Sequence, residues 1–300
     1  MQFQQYAYQG KGTGAGARPQ RPPRRGNAQW TALDNDMLVE VFGYLEGDRK
    51  VARLAHLDKR THRVARLAVQ RHLRLSDSQY AAFRAVLERK ENVLLMGNPG
   101  SGKSFLLKIL KERMRSPLVA ASTGAAAEKI GAWTLHSALG LGLGEGTAKQ
   151  IVKKQLTPVR GVVYPKPGMT CGQLIIDEVS MLTAKLLDLA ADVLKLLRGR
   201  LPQLVVSGDP MQLGAVGADK EGPFYESGLI RRLKPYVLTE SFRQAEDSHF
   251  LGILNRARLG KARLDDVEWI QEHALPSAWA GAPRLFCRLA EVFDYNKEKL

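Results

Sequence analysis

The sequence predicts an α/β fold built on a doubly wound parallel sheet, preceded by a small helical segment and a disordered basic tail. Three observations predict it. Beyond Leu75, short apolar runs of four to six residues alternate with helical stretches, the pattern of parallel strands joined by crossover helices. One such run, Asn92–Met96, leads directly into the glycine-rich Gly97-Asn98-Pro99-Gly100-Ser101-Gly102-Lys103-Ser104 and then a helix from Phe105 to about Met114. A second run, Gln173-Leu174-Ile175-Ile176, ends in the adjacent acids Asp177 and Glu178.

The N-terminal part differs in character. Residues 1–30 are rich in Gln, Gly, Arg and Pro and carry no acidic side chain. Too little apolar surface is available there to offset the entropy of ordering, so the segment is expected to be a disordered basic tail. It lacks the apolar core of a secretory signal, and its Gly and Pro content opposes the amphipathic helix of a mitochondrial presequence. Residues 31–74 read as a small helical segment, with Leu38, Val41, Phe42 and Leu45, and again Leu54, Leu57, Val64 and Leu67, at three- and four-residue spacing. This stretch resembles an F-box, through Leu33, the Phe42-x-x-Leu45 core, Leu54-Ala55 and Lys59-Arg60, although Asp34 stands where that family favours Pro. The resemblance implies the Skp adaptor as a partner through residues 33–70 and a ubiquitin-ligase adaptor as an alternative function. A helical module without a specific partner fits the same residues.

The 300 residues carry a formal charge of +15 and a pI near 9.9, which calls for a polyanionic partner such as nucleic acid. With 44% hydrophobic residues the chain can bury a real core. No run of eighteen apolar residues occurs, so a membrane span is not expected. Cys171 and Cys287 are the only cysteines, far apart and without metal-ligand spacing, which argues against a disulfide framework or a zinc site.

The glycine-rich stretch has the form G-x-x-x-x-G-K-[ST] between a strand and a helix, the context in which it binds phosphate. Glycines let backbone N–H groups converge on an anion, and the helix N-terminus adds a favourable dipole. Lys103 would place its charge on the β- and γ-phosphates of ATP, and the Ser104 hydroxyl would ligate Mg²⁺. An apolar strand ending in Asp-Glu is, by itself, more often just a strand and a turn. Paired with the phosphate loop, it reads as catalytic: Asp177 holds Mg²⁺ and Glu178 polarises the attacking water. A further strand, Leu204–Ser207, runs into Gly208-Asp209-Pro210-Met211-Gln212, and Gln212 is a candidate for sensing the γ-phosphate or orienting water.

The run of motifs resembles the PIF-type DNA helicases, the RecD-like branch of superfamily one. Leu75-Ser76-Asp77-Ser78-Gln79 is similar to the Q-motif, with Gln79 placed to read adenine. Ser122-Thr123-Gly124-Ala125, then Thr134-Leu135-His136-Ser137, resembles the family's nucleic-acid-contacting stretch. Asp177-Glu178-x-Ser180-Met181, Gly208-Asp209-x-x-Gln212-Leu213 and Leu238-Thr239-x-x-Phe242-Arg243-Gln244 follow in family order. The resemblance implies a RecA-like motor domain over residues 75–235 and the start of a second, apparently truncated, over 236–300. It implies ATP and Mg²⁺ as cofactors and single-stranded or forked DNA as partner, with movement from 5′ to 3′. Arg243 would be the arginine finger, and Thr123, His136 and Ser137 would contact the DNA strand. It also implies work in DNA repair, recombination or telomere maintenance, with the nucleus as the expected setting and the mitochondrion or a viral origin as alternatives.

Around these motifs, Lys153, Lys154 and Arg160 lie in a Gly/Pro-flanked insertion and read first as solvated charges. Trp133 reads first as packing, with base stacking as its alternative. The chain stops at Leu300, where the family's second motor domain would only be beginning. A nucleotide-binding remnant without unwinding activity is therefore the remaining alternative.

Overall fold

The structure is a computed structural model, and it describes residues 59–158, 166–242, 248–273 and 284–299. The expected basic tail and residues 33–58 of the F-box-like segment lie outside these. The chain divides between Ser76 and Asp77. In the first unit, helix α1 (Lys59–His72) is strongly basic and has no acid in its first turn.

The second unit is laid out as α2 (Asp77–Leu87), β1 (Val93–Gly97), α3 (Lys103–Arg113), β2 (Leu118–Ala121), α4 (Gly124–Lys129), β3 (Trp133–Thr134), α5 (Leu135–Leu139), α6 (Ala148–Leu156), β4 (Gln173–Asp177), α7 (Ala184–Arg198), β5 (Gln203–Gly208), α8 (Ala218–Glu221), β6 (Lys234–Leu238), α9 (Ser248–Arg258), α10 (Leu264–His273) and α11 (Leu289–Lys299). The six strands form one sheet in the order β3-β2-β4-β5-β1-β6, and every pairing is parallel. Both faces are covered, which is why the central strands read as unbroken apolar runs rather than alternating ones.

Successive side chains of a strand point to opposite faces, so two cores arise from one sheet. Leu94, Leu118, Ala120, Leu174, Ile176, Leu204 and Val206 share a cluster with Leu187, Ala190, Ala191 and Leu194 of α7 and with Leu135 and Leu139 of α5. The α7 residues recur at i, i+3, i+4 and i+7, one stripe of an amphipathic helix. Its ends are set locally. The Thr183 side chain accepts a hydrogen bond from Leu186 N, and Gly199 closes the helix in the left-handed conformation. The opposite face of the sheet carries α3 against β1 and β4, and α2 against β1 and β6.

The expected boundary after residue 235 falls within β6, which belongs to this sheet and pairs with β1 from Val93↔Lys234 to Gly97↔Leu238. Pro235 reads against a strand, because it has no N–H for a ladder. At the sheet edge only one side of a strand is paired, so the missing donor is tolerated. A polar network anchors this edge. Glu91 accepts from Tyr236 Oη at 2.8 Å, from Arg89 Nε at 3.0 Å and from Lys234 Nζ at 3.1 Å. The Tyr236 hydroxyl, with Lys234 and Arg89, holds the Glu91 carboxyl down at about 2. A carboxylate with a lowered folded-state value stabilises the fold above its unfolded value and loses that contribution as pH falls through the folded one. Glu91→Gln is therefore expected to melt below the wild type at neutral pH. In thermal melts at stepped pH, the gap should close as pH falls from the ordinary glutamate range towards about 2.

Among the described residues no helix is long and apolar enough to cross a membrane.

Candidate active site

Parallel strands deliver their carboxyl ends to one edge of the sheet, and three neighbours, β4, β5 and β1, bring polar groups there. β1 ends in the glycine-rich loop, which turns into α3. Gly102, the residue before the helix, is left-handed (φ 81°) and offers no side chain to occupy the first-turn N–H groups, which stay available for an anion. A Cβ at Gly102 would lie 2.3 Å from Gln79 Nε2, and one at Gly97 would lie 2.5 Å from Ser101 Oγ and 3.0 Å from Leu238 O. Both positions require glycine for close approach, as a phosphate cradle does.

Lys103 is buried, and its Nζ donates to Gly97 O at 2.7 Å and Asn98 O at 3.2 Å. Burial pulls its pKa down, while the carboxylates of Asp209, Glu178 and Asp177 push it up. One cation thus stands in the field of three acids from the ends of β4 and β5. Asp177 is 5% exposed and its Oδ1 accepts from Glu178 N at 2.9 Å. Glu178 sits just past the strand in a left-handed conformation (φ 53°), uncommon for a residue other than glycine. Burial raises the Glu178 pKa, the neighbouring Asp177 charge raises it further, and Lys103 opposes both. A carboxylate with raised basicity at the mouth of a phosphate site suits activation of water. Ser101, in the loop, Ser180, two residues past Glu178, and Ser207, at the end of β5, are buried polar residues next to these groups in the chain.

Ser104 is exposed in the first turn of α3. The carboxamide of Gln79 is buried and donates from Nε2 to Ser101 O at 3.2 Å, so this side chain braces the phosphate loop from below. Gln212 is half-buried in the turn after β5, its N–H donating to Asp209 O at 3.1 Å. Arg243 lies outside the described residues. Phe242, the residue before it in the chain, donates its N–H to Gly100 O at 2.9 Å.

Three residues to which sequence reasoning gave no role, Asp209, Asn255 and Arg258, lie beside the site. Asp209 is fully buried, and Arg258 of α9 holds it through Nη2 at 2.5 Å and Nε at 3.2 Å. From the same helix, Asn255 Oδ1 accepts from Asn98 Nδ2 at 3.1 Å. Asn255 and Arg258 are three residues apart and so share a helix face, but nothing in that spacing names the partner.

Away from the nucleotide cleft, a groove of about 940 Å³ is lined by residues that include Trp133, His136, Ser137, Lys154 and Lys166. His136 and Ser137 thus come together. Thr123 does not line this groove, and its side chain caps α4 by accepting from Ala126 N at 3.2 Å. Trp133 is 54% exposed, which corrects the packing expectation: β3 is a two-residue strand at the edge of the sheet. Lys154 joins the groove, Lys153 does not, and Arg160 lies outside the described residues.

Fold and cleft together define a P-loop nucleotide-binding domain of the doubly wound kind. The family model described as an AAA domain matches residues 74–275, and the chain belongs to that family. The chain is 37% identical over 240 residues to the ATP-dependent DNA helicase PIF1 of Homo sapiens, a match covering 75% of this chain and 36% of that protein. It resembles the crystal structure of Pif1 helicase from Candida albicans at a TM-score of 0.65 and 30% identity, over 75% of this chain and 54% of that one. The Bacteroides Pif1 helicase crystallised with ADP-AlF3 and single-stranded DNA is similar at a TM-score of 0.61 and 25% identity, over 75% and 56% of the two chains. The chain spans about a third of the length of the curated relatives it matches.

Proposed function

We propose that this chain is the ATP-hydrolysing motor part of a DNA helicase, converting nucleotide turnover into movement along single-stranded DNA. The observation that carries the reading is Lys103, buried at the head of α3 beside the two acids that close β4, Asp177 and Glu178. That arrangement has little use in a structural turn and a clear use around a Mg²⁺-bound triphosphate. Ser104 and Asp177 would hold the metal. Among the described residues no cluster of three or more His, Cys, Asp or Glu forms a metal cage, and Mg²⁺ at nucleotide sites takes only one or two protein oxygens besides phosphate and water. Mg²⁺ would neutralise developing phosphate charge, while Lys103 orients the γ-phosphate and Glu178 accepts the proton of the attacking water.

The relative named above is called an ATP-dependent DNA helicase, and the Bacteroides neighbour was crystallised with single-stranded DNA. In this chain the groove lined by Trp133, His136, Ser137, Lys154 and Lys166 offers stacking and basic groups for such a strand. Arg243 is proposed as the cation that completes the γ-phosphate site, Gln79 as the adenine reader once nucleotide arrives, and Gln212 as the γ-phosphate sensor. Thr123 would meet the strand at the start of α4. The second motor domain is taken to begin beyond Leu238. Movement from 5′ to 3′, and work in repair, recombination or telomere maintenance in the nucleus or mitochondrion, go with the same reading.

The test is ATP turnover with and without single-stranded DNA. DNA should raise the wild-type rate, less so as salt is raised, and Lys103→Ala should lower the stimulated rate by roughly 10²-fold or more. Turnover indifferent to DNA would sink the helicase reading and leave a nucleotide-binding domain of another purpose.

A further inference from the structure

We propose that Arg258 is a positioning residue of the nucleotide site: by holding the carboxylate of Asp209 it keeps that charge off Lys103 and leaves the lysine for phosphate. The inference rests on the nucleotide-binding reading above. Asp209 follows β5, the strand that lies between the phosphate-loop strand β1 and the Asp177 strand β4, and it is 0% exposed. A carboxylate so buried needs a counter-charge, and two cations stand near enough to supply it. Of the three carboxylates whose fields favour the charged lysine, Asp209 acts most strongly on Lys103.

The lysine nevertheless makes its hydrogen bonds to the carbonyls of Gly97 and Asn98. Asp209 instead takes the two-point fork of Arg258, with Nη2 on Oδ1 at 2.5 Å and Nε on Oδ2 at 3.2 Å. Its Oδ1 also accepts from Met211 N at 3.0 Å. A guanidinium is planar, permanently charged and matched to a carboxylate, so it wins this competition against a single ammonium. The helix carrying it is fixed at the site from two sides. Asn255 meets Asn98 of the phosphate loop, and Arg256 forks onto Asp266 of α10. A glycine-rich loop followed by Lys could therefore serve phosphate beside three acids only because one of those acids is already occupied.

The test is a titration of the full chain with a fluorescent (N-methylanthraniloyl) ADP, with thermal melts run alongside. Arg258→Gln should weaken binding about tenfold or more, because the freed Asp209 recaptures Lys103. The paired variant Asp209→Asn with Arg258→Gln should restore affinity to within about threefold of the wild type. Asp209→Asn alone should bind at least as tightly as the wild type, and this arm still decides the matter if Arg258→Gln fails to fold. Unchanged affinity in Arg258→Gln, no recovery in the paired variant, or weaker binding by Asp209→Asn would each overturn the proposal. In the second case Arg258 would be serving only to anchor α9. A wild type that does not bind the nucleotide, or binds it no better than Lys103→Ala, would overturn the nucleotide-binding reading itself.

Discussion

Glu178→Gln is expected to lower ATP turnover by roughly 10²- to 10⁴-fold while leaving nucleotide binding intact. The amide keeps the size and one acceptor oxygen of the carboxylate but cannot take a proton from water. Lys103, the glycine loop and the helix N-terminus, which would hold the phosphates, are unchanged by it. The loss should therefore appear in kcat rather than in the nucleotide dissociation constant, measured by steady-state turnover and fluorescent-nucleotide titration together. A pH profile adds a second signature. Burial and the Asp177 charge raise the Glu178 pKa, and the base works only when ionised. Wild-type turnover should accordingly fall as pH drops through a midpoint above the ordinary glutamate range. Stability runs the other way. A carboxyl whose folded value is raised opposes folding once ionised, so Glu178→Gln should melt at or above the wild-type temperature at neutral pH. A variant that lost turnover through unfolding would melt lower instead.

Leu174→Ala should cost about 2–5 kcal/mol of stability, the range for deleting a buried leucine where the surroundings cannot collapse. Leu174 is 0% exposed in β4, opposite Leu118 of β2 and Leu204 of β5, and belongs to the cluster that includes Leu187 and Leu194 of α7. Its strand neighbours are fixed by ladder hydrogen bonds and its helix neighbours by a capped helix, so little can move into the space. For a domain of this size the melting temperature should fall by roughly 5–15 °C in a calorimetric scan. The control is Leu213→Ala, at an 89% exposed position, which should change stability by no more than about 0.5 kcal/mol. Because Leu174 lies on the strand that ends at Asp177, a milder Leu174→Val should also loosen the carboxylate end. Its turnover is expected to drop before its fold is lost.

Much of the site was legible because its parts are contiguous in the chain. Strand, glycine loop and Lys103 occupy one short stretch, and the α3 helix follows at once, so spacing alone places the lysine at a helix head. Asp177 and Glu178 close an apolar run in the same way, and β4 ends where the run ends. Two other features could not be read. β6 carries Lys234 and Pro235 and is largely exposed, and only its place at the sheet edge makes a strand of it. Trp133 sits beside apolar residues in the sequence yet is exposed, because β3 closes the other edge with two residues.

The sequence by itself determined the fold class, the phosphate loop and the pair of acids, since hydrophobic period, turn residues and motif spacing are all local properties. The tertiary structure decided which charges neutralise one another. Asp209 and Arg258 are 49 positions apart and meet only because α9 packs onto the phosphate loop. Ion pairing depends on distance in space and on burial, and neither is written in the order of residues along the chain.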